Sequence, residues 1–277
     1  MNEPAPPPRS PARYDTLFLV CLSVLGGTYV VLILAMLFAE AAFTTPDHIV
    51  HALASEEIRY SLRLSLLSCT LTTILSLWVA VPLGYLLSRF SFFGKQFLDA
   101  VLDIPIVLPP LVIGLALLIL FRTAPGQWLE RYFPVTFAVP SVILAQFAVA
   151  AAFSVRTMRV TFDQISPRTE QVALTLGCSR NQAFWRVVLP QARRGLLTAG
   201  TLAWARSLGE FGPILIFSGA TRLRTEVLPT TVWLEMSVGN IEAAVAVSLL
   251  MVMCAVTVLI LMRHFGSETT FEKALRP

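Results

Sequence analysis

Apolar positions along the 277 residues gather into six long runs, 16–39, 64–88, 98–121, 136–155, 196–217 and 241–262, separated by short polar segments. A bilayer core needs about twenty apolar residues as helix, so each run is long enough to cross. Strands of a membrane barrel would alternate apolar and polar over about ten residues, whereas these runs are continuously apolar. Their backbone groups must then be satisfied within helices. The pattern predicts an all-α membrane protein with six transmembrane helices. The first run also exceeds the roughly 7–15 residues of a signal-peptide core, so 16–39 is expected to stay as the first transmembrane helix. Ahead of it, 1–15 holds five prolines with Arg9 and Arg13 and reads as a disordered flank.

Composition agrees with the pattern. The chain is 56% apolar and only 14% charged, against about a quarter charged in a soluble domain. The net charge of +4 does not point to nucleic acid, because the cations sit in the short segments between runs. There they orient the chain. With the N-terminus inside, fourteen Lys and Arg fall on inner segments and six on outer ones, leaving Arg206 within a run. Both termini are therefore expected to be cytoplasmic, with 263–277 a short tail. The first outer loop carries a helix start at Thr44-Thr-Pro-Asp47 and could hold a short helix on the membrane surface.

Little in the chain carries bond-making chemistry. Cys21, Cys69, Cys178 and Cys254 fall singly, and His48 and His51 lack a third convergent ligand, so no metal or cofactor is expected. There is no Gly-x-x-x-x-Gly-Lys-Ser/Thr phosphate loop, no Gly-x-Ser-x-Gly and no His-Glu-x-x-His. The chain is not expected to be an enzyme. Work done across the membrane would draw on a partner or an ion gradient.

The Arg-rich insertion 167–194 between the fourth and fifth runs is the most specific feature. Pro167 opens a helical piece with Glu170 near its N-terminus, Gly177 and Ser179 make a sharp turn, and a second piece, 181–188, ends at Pro190. Ala173 and Gly177 lie four apart on one face, leaving a patch poor in side chains where another protein's backbone could pack. Phe184, Val187 and Val188 form an apolar strip on the second piece. An amphipathic helix on anionic lipid is the alternative, but the small-residue step has no use there.

The spacing Gln171-Val172-Ala173, three residues, Gly177, nine residues, Val187-Val188-Leu189-Pro190 resembles the EAA loop of permease subunits of binding-protein-dependent ABC importers. The leading triad departs from that pattern: Gln171 replaces Glu, Val172 replaces Ala, and Glu170 stands one position early. The resemblance runs through 61–262 and includes Asp103-Ile-Pro-Ile-Val-Leu-Pro-Pro110 and Ala205-Arg-Ser-Leu-Gly-Glu-Phe-Gly212. It implies a type I importer permease, and a coupling role toward the ATPase for Glu170, Gln171, Ala173, Gly177, Phe184, Leu189 and Pro190. It also implies a second permease copy, two cytoplasmic ATPase subunits and an extracytoplasmic substrate-binding protein as partners, in a bilayer and moving substrate inward by alternating access. The segments Leu208 to Pro213, Phe217 to Ala220, Thr225 to Thr230 and Gly239 to Ala244 are similar to molybdate, tungstate and sulfate permeases, which implies an oxyanion, with molybdate or tungstate preferred.

Within the fifth run, Arg206 and Glu210 are four apart and form the one clear ion pair at membrane depth, where ionisable groups are costly. Either each neutralises the other at a buried helix contact, which is the preferred reading because a lone Arg would trap a dianion, or Arg206 touches the anion. Gly209, Gly212 and Pro213 permit a bend or close approach, so this run is the expected gate. Pro105, Pro109 and Pro110 suggest an irregular start beside the pore or a kink against a neighbour. An ion-coupled secondary transporter is the rival of a different class, although such carriers usually show paired repeats and midplane acids.

Overall fold

The computed structural model describes residues 13–267, so most of the expected N-terminal flank and the last ten residues of the expected tail lie outside the described residues. The chain divides after Pro46 into two units. The first holds α1 (Arg13–Phe43). Its residues are apolar nearly all the way round the helix, as suits a membrane span.

The second unit begins within α2 (Pro46–Ala54), the short helix expected in the first outer loop. It continues with α3 (Glu56–Arg89), α4 (Lys95–Val107), α5 (Pro110–Arg122), α6 (Ala124–Tyr132) and α7 (Val139–Gln164). Then come α8 (Pro167–Thr175) and α9 (Arg180–Ala183), which runs through a π turn at Phe184–Val188 into α10 (Leu189–Gln191). The last four helices are α11 (Arg193–Leu208), α12 (Gly212–Phe217), α13 (Leu228–Ser237) and α14 (Ile241–Ser267). No strand occurs among the described residues.

Four helical stretches, Phe18–Phe43, Glu56–Arg89, Val139–Gln164 and Ile241–Met262, are long and apolar enough to cross a bilayer alone. The other two of the six expected runs are interrupted. The run 98–121 is split into α4 and α5, which meet at 114°. Leu108 and Pro109 are held extended there (ψ 140° and 135°), because the residue before a proline is pushed out of the helical region. The run 196–217 is split at 209–211 into α11 and α12. Pro213 lacks an N–H and its ring excludes the carbonyl four residues back, so the helix cannot run through.

The centre of the second unit is the α3–α7 pair. Along α3 the buried positions Ser61, Ser65, Ser68, Thr72, Ser76, Ala80 and Gly84 recur every three or four residues, so a single small, hydroxylated face is turned inward. A Cβ on Gly84 would lie 2.8 Å from Met158 Cβ and 2.9 Å from the Arg159 backbone nitrogen. Lipid offers no hydrophobic drive for helix association, so contact this close supplies the dispersion that holds the pair. At the loop end of α7, Arg156 pairs with Asp103 and Arg159 with Asp99, clamping α4 to α7.

Candidate coupling loop and membrane break

The loop expected to couple is two helical pieces set at a turn. α8 ends in a Schellman arrangement: the Cys178 N–H donates to the Ala173 carbonyl (3.1 Å) and the Gly177 N–H to the Leu174 carbonyl (3.0 Å), with Gly177 at φ +87°. A glycine takes that conformation without strain. Ser179 then caps α9, accepting from the Gln182 N–H (3.3 Å) while Gln182 Oε1 accepts from the Ser179 N–H (2.9 Å). The π turn follows, where the Leu189 N–H reaches the Phe184 carbonyl five residues back. The extra residue precedes Pro190, which has no N–H to continue an ordinary helical ladder.

Glu170 fastens this loop to the end of α3. Its Oε1 accepts from the Tyr85 hydroxyl at 2.6 Å, and its Oε2 lies 3.6 Å from Arg89 Nε. The guanidinium of Arg89 also donates to the Ile165 carbonyl at 2.7 Å, so one arginine ties the start of the loop and α8 to the same helix end. Both side chains of the ion pair are close to buried, at 10% and 13% exposure. Tyr85 stacks edge-on against Phe184 (4.8 Å between ring centres) and Phe162 (5.6 Å). Phe184 thus packs inward on its own chain. The Glu that stands one position early relative to the EAA pattern is the residue that holds the loop in place.

The two small residues of the expected patch are placed differently. Ala173 is buried within its own chain, so it and Gly177 do not form one outward step. What the loop presents outward is Val172, Leu176 (80% exposed) and Trp185, beside exposed Gln171, Gly177, Arg180, Arg186 and Pro190, with Leu189 half-buried. A helical repeat places Ala173 and Gly177 on one face but does not say which face turns outward.

At the break after α11, Arg206 Nη2 lies 2.8 Å from Glu210 Oε1. The approach is close, yet it lacks hydrogen-bond geometry. Glu210 is buried, whereas Arg206 is half-exposed with its guanidinium 5.7 Å above the Phe153 ring. α11 ends at Leu208, so the pair bridges the break rather than lying along one helix face. The backbones of Gly212 and Gly114 are closely approached. A Cβ on Gly212 would sit 3.0 Å from Pro110 Cβ, and one on Gly114 2.8 Å from Pro213 Cα. The two interrupted runs therefore meet at α5 and α12, which brings Pro109–Pro110 and Gly212–Pro213 together.

In the segment between α12 and α14, Arg222 pairs with Glu235 at 2.7 Å, and Asn240 Nδ2 donates to the other Glu235 oxygen at 2.9 Å. The Glu235 hydrogen bond raises the Arg222 pKa. Glu226 is buried, and neither of its carboxyl oxygens makes a well-formed hydrogen bond; the nearby Thr231 hydroxyl donates to the Val227 carbonyl. Burial pushes its pKa above the ordinary 4.5.

A family model described as the inner membrane component of binding-protein-dependent transport systems matches residues 80–270. The chain belongs to that family, the permease subunits of ABC importers, and is an inner-membrane protein. A probable molybdenum ABC transporter permease protein of Haloferax volcanii is 34% identical over 258 residues, covering 93% of each chain. A sulfate transport system permease protein of Synechocystis is 28% identical, covering 92% of this chain and 95% of its own. The fold matches that of a bacterial alginate ABC transporter solved with a pentasaccharide-bound periplasmic protein, at a TM-score of 0.75 and 16% identity, over 92% of this chain and 95% of that one. Family membership sets the ion-coupled carrier aside.

Proposed function

We propose that two copies of this chain form the membrane path for a tetrahedral oxyanion, molybdate or tungstate, imported by alternating access. Two cytoplasmic ATPase subunits would drive the path, and an extracytoplasmic binding protein would feed it. The observation that carries the coupling role is the loop 167–191: α8 and the π-turned piece are held to α3 through Glu170, Tyr85 and Arg89, while Val172, Leu176 and Trp185 stand exposed. A rigid loop with outward apolar side chains can transmit a push to α3 and α11 that a floppy one would absorb.

Six crossings with both termini cytoplasmic fit the cation distribution, and that orientation puts the loop on the ATPase side. The broken runs α4–α5 and α11–α12 would then be the irregular parts of the path, since interrupted backbone at membrane depth is tolerated where it is buried in protein or lines a cavity. Arg206, Glu210, Gly209, Gly212 and Pro213 lie there. The pairing of Arg206 with Glu210 supports mutual neutralisation rather than a standing anion site. An oxyanion is favoured by the similarity to the Haloferax molybdenum permease, and the Synechocystis sulfate permease favours sulfate as the second reading.

Reconstitution with the partner ATPase and binding protein in proteoliposomes tests this reading. ATP-dependent uptake of molybdate is expected, with sulfate weaker and uptake unaffected by an ionophore. Uptake without ATP, or without the binding protein, would overturn it. Calorimetry of molybdate, tungstate and sulfate on the binding protein separates the three anions.

A further inference from the structure

One buried polar side chain in the membrane-facing helices is unused by the account above. Gln146, about two turns into α7, is 1% exposed. Its Nε2 donates to the Ser207 carbonyl of α11 at 3.2 Å and lies 3.7 Å from Cys69 Sγ of α3. Its Oε1 is 3.2 Å from the Thr72 hydroxyl of α3, which also lies 3.3 Å from the Ile143 carbonyl. Both ends of the amide are therefore engaged, and three helices meet on one side chain.

The carbonyl it serves is a particular one. α11 stops at Leu208, so its last carbonyls have no N–H four residues ahead within a helix. In water such groups would be hydrated, but at membrane depth they need a protein donor. The Ser207 carbonyl receives the Glu210 N–H at 3.2 Å and the Gln146 amide at 3.2 Å, which fills both lone pairs. Ser207 and Glu210 bracket the break, and Arg206 is the next residue back. The Ser207 carbonyl can only accept, so the amide nitrogen faces it, and the Thr72 hydroxyl holds the amide oxygen.

We propose that Gln146, oriented by Thr72, is a positioning residue of the translocation path: it fixes the carbonyl at which α11 ends and so sets the angle of the break that carries Arg206 and Glu210. The inference rests on the reading of 206–213 as part of the path. An apolar residue of the same volume would fill the space but leave the Ser207 carbonyl half-satisfied, freeing the break without emptying the core.

The test uses the full transporter in nanodiscs, with its ATPase and binding protein. Amide hydrogen exchange at 207–212 reports positioning, and ATP hydrolysed per anion imported reports the gate. In Gln146→Met, exchange at 207–212 is expected to quicken about tenfold, the loss of one neutral hydrogen bond, while 141–150 and 64–80 keep their protection. ATP consumed per anion rises. Thr72→Val shifts both in the same direction by less, and Thr72→Ser, which keeps the hydroxyl, restores them. Unchanged exchange at 207–212 in Gln146→Met, or an acceleration spread evenly over all the helices, overturns the proposal. Local acceleration with wild-type ATP per anion upholds the positioning role and overturns the gate reading. If Gln146→Met does not assemble, Thr72→Val against Thr72→Ser decides the matter by the same measures.

Discussion

Removing the Glu170 carboxylate should release the coupling loop from α3 without unfolding the helices on either side. The size of the effect follows from its two contacts. Arg89 Nε lies 3.6 Å from Oε2, which at an effective dielectric of about 20 is a gross attraction of about 4–5 kcal/mol. Breaking a buried pair by deleting one partner typically costs about 3–5 kcal/mol. Arg89 keeps its bond to the Ile165 carbonyl, so the lower end applies, about 3 kcal/mol for Glu170→Ala. Glu170→Gln retains an acceptor for Tyr85 and should lose about half of that.

About 3 kcal/mol moves the ratio of docked to released loop by about 150-fold. Hydrogen exchange across 167–191 in nanodiscs reads that ratio, and uptake per ATP in proteoliposomes reads its consequence. Glu170→Ala is expected to expose the amides of α8 and to leave ATP hydrolysis poorly converted into uptake, with Glu170→Gln intermediate. A Tyr85→Phe and Glu170→Gln double-mutant cycle should show coupling between the two side chains. Unchanged exchange of 167–191 in Glu170→Ala, together with wild-type uptake per ATP, would refute the reasoning.

Three further outcomes are expected. Gly177→Leu forces a branched side chain to φ +87°, costing about 1–2 kcal/mol of turn stability, and should lower coupled uptake while Gly177→Asn retains most of it; equal uptake in the two variants would count against the turn's importance. Leu176→Ser and Trp185→Ala should each weaken ATPase binding by about 1.5–3 kcal/mol with no loss of thermal stability in the isolated permease, as measured by co-purification and thermal shift. Glu226 has a folded pKa above its ordinary 4.5, so the folded form holds its proton more tightly than the unfolded one, and stability falls as pH rises from about 4.5 through the folded pKa. Glu226→Gln should therefore raise the melting temperature at pH 8 relative to pH 5 and flatten that dependence, and a variant as pH-sensitive as the parent would contradict the burial argument.

What the sequence made legible and what it hid divide along physical lines. The Gly177 turn is a local signal and falls where the sequence puts it, whereas Pro190 does not end the second piece, because the π turn lets the helix run on through Gln191. The inward face of α3 is not local in that sense. Its Ser61, Ser65, Ser68, Thr72 and Ser76 are diluted by leucines in any running average, although their spacing of three and four was there to be seen. Gln146 carried a signal too, since an amide inside an apolar run is costly unless it has partners. Tyr85 and Arg89 could not have been matched to Glu170, because nothing in a chain of 277 residues says that positions 85 and 170 meet. The orientation of Ala173 was ambiguous for the same reason. A helix face poor in side chains suits close packing against one's own chain as well as against a partner.

The two broken runs explain each other. Each leaves backbone groups that a helix would have satisfied, and the two differ in setting: 107–111 are exposed in the single chain, whereas Glu210 is buried at the other break. α5 and α12 each carry a proline in the first turn, Pro110 and Pro213, and they approach so closely that Gly114 faces Pro213 and Gly212 faces Pro110. The glycines are what allow this, since a methyl group at either would meet backbone or ring atoms at about 3 Å or less. Gln146 completes the arrangement from the α7 side by serving the Ser207 carbonyl. Irregular backbone thus occurs where prolines interrupt two neighbouring runs and glycines let the interruptions pack together. A change in angle at one break has to be accommodated by the other, so α4–α5 and α11–α12 would be expected to move together if the loop drives either of them.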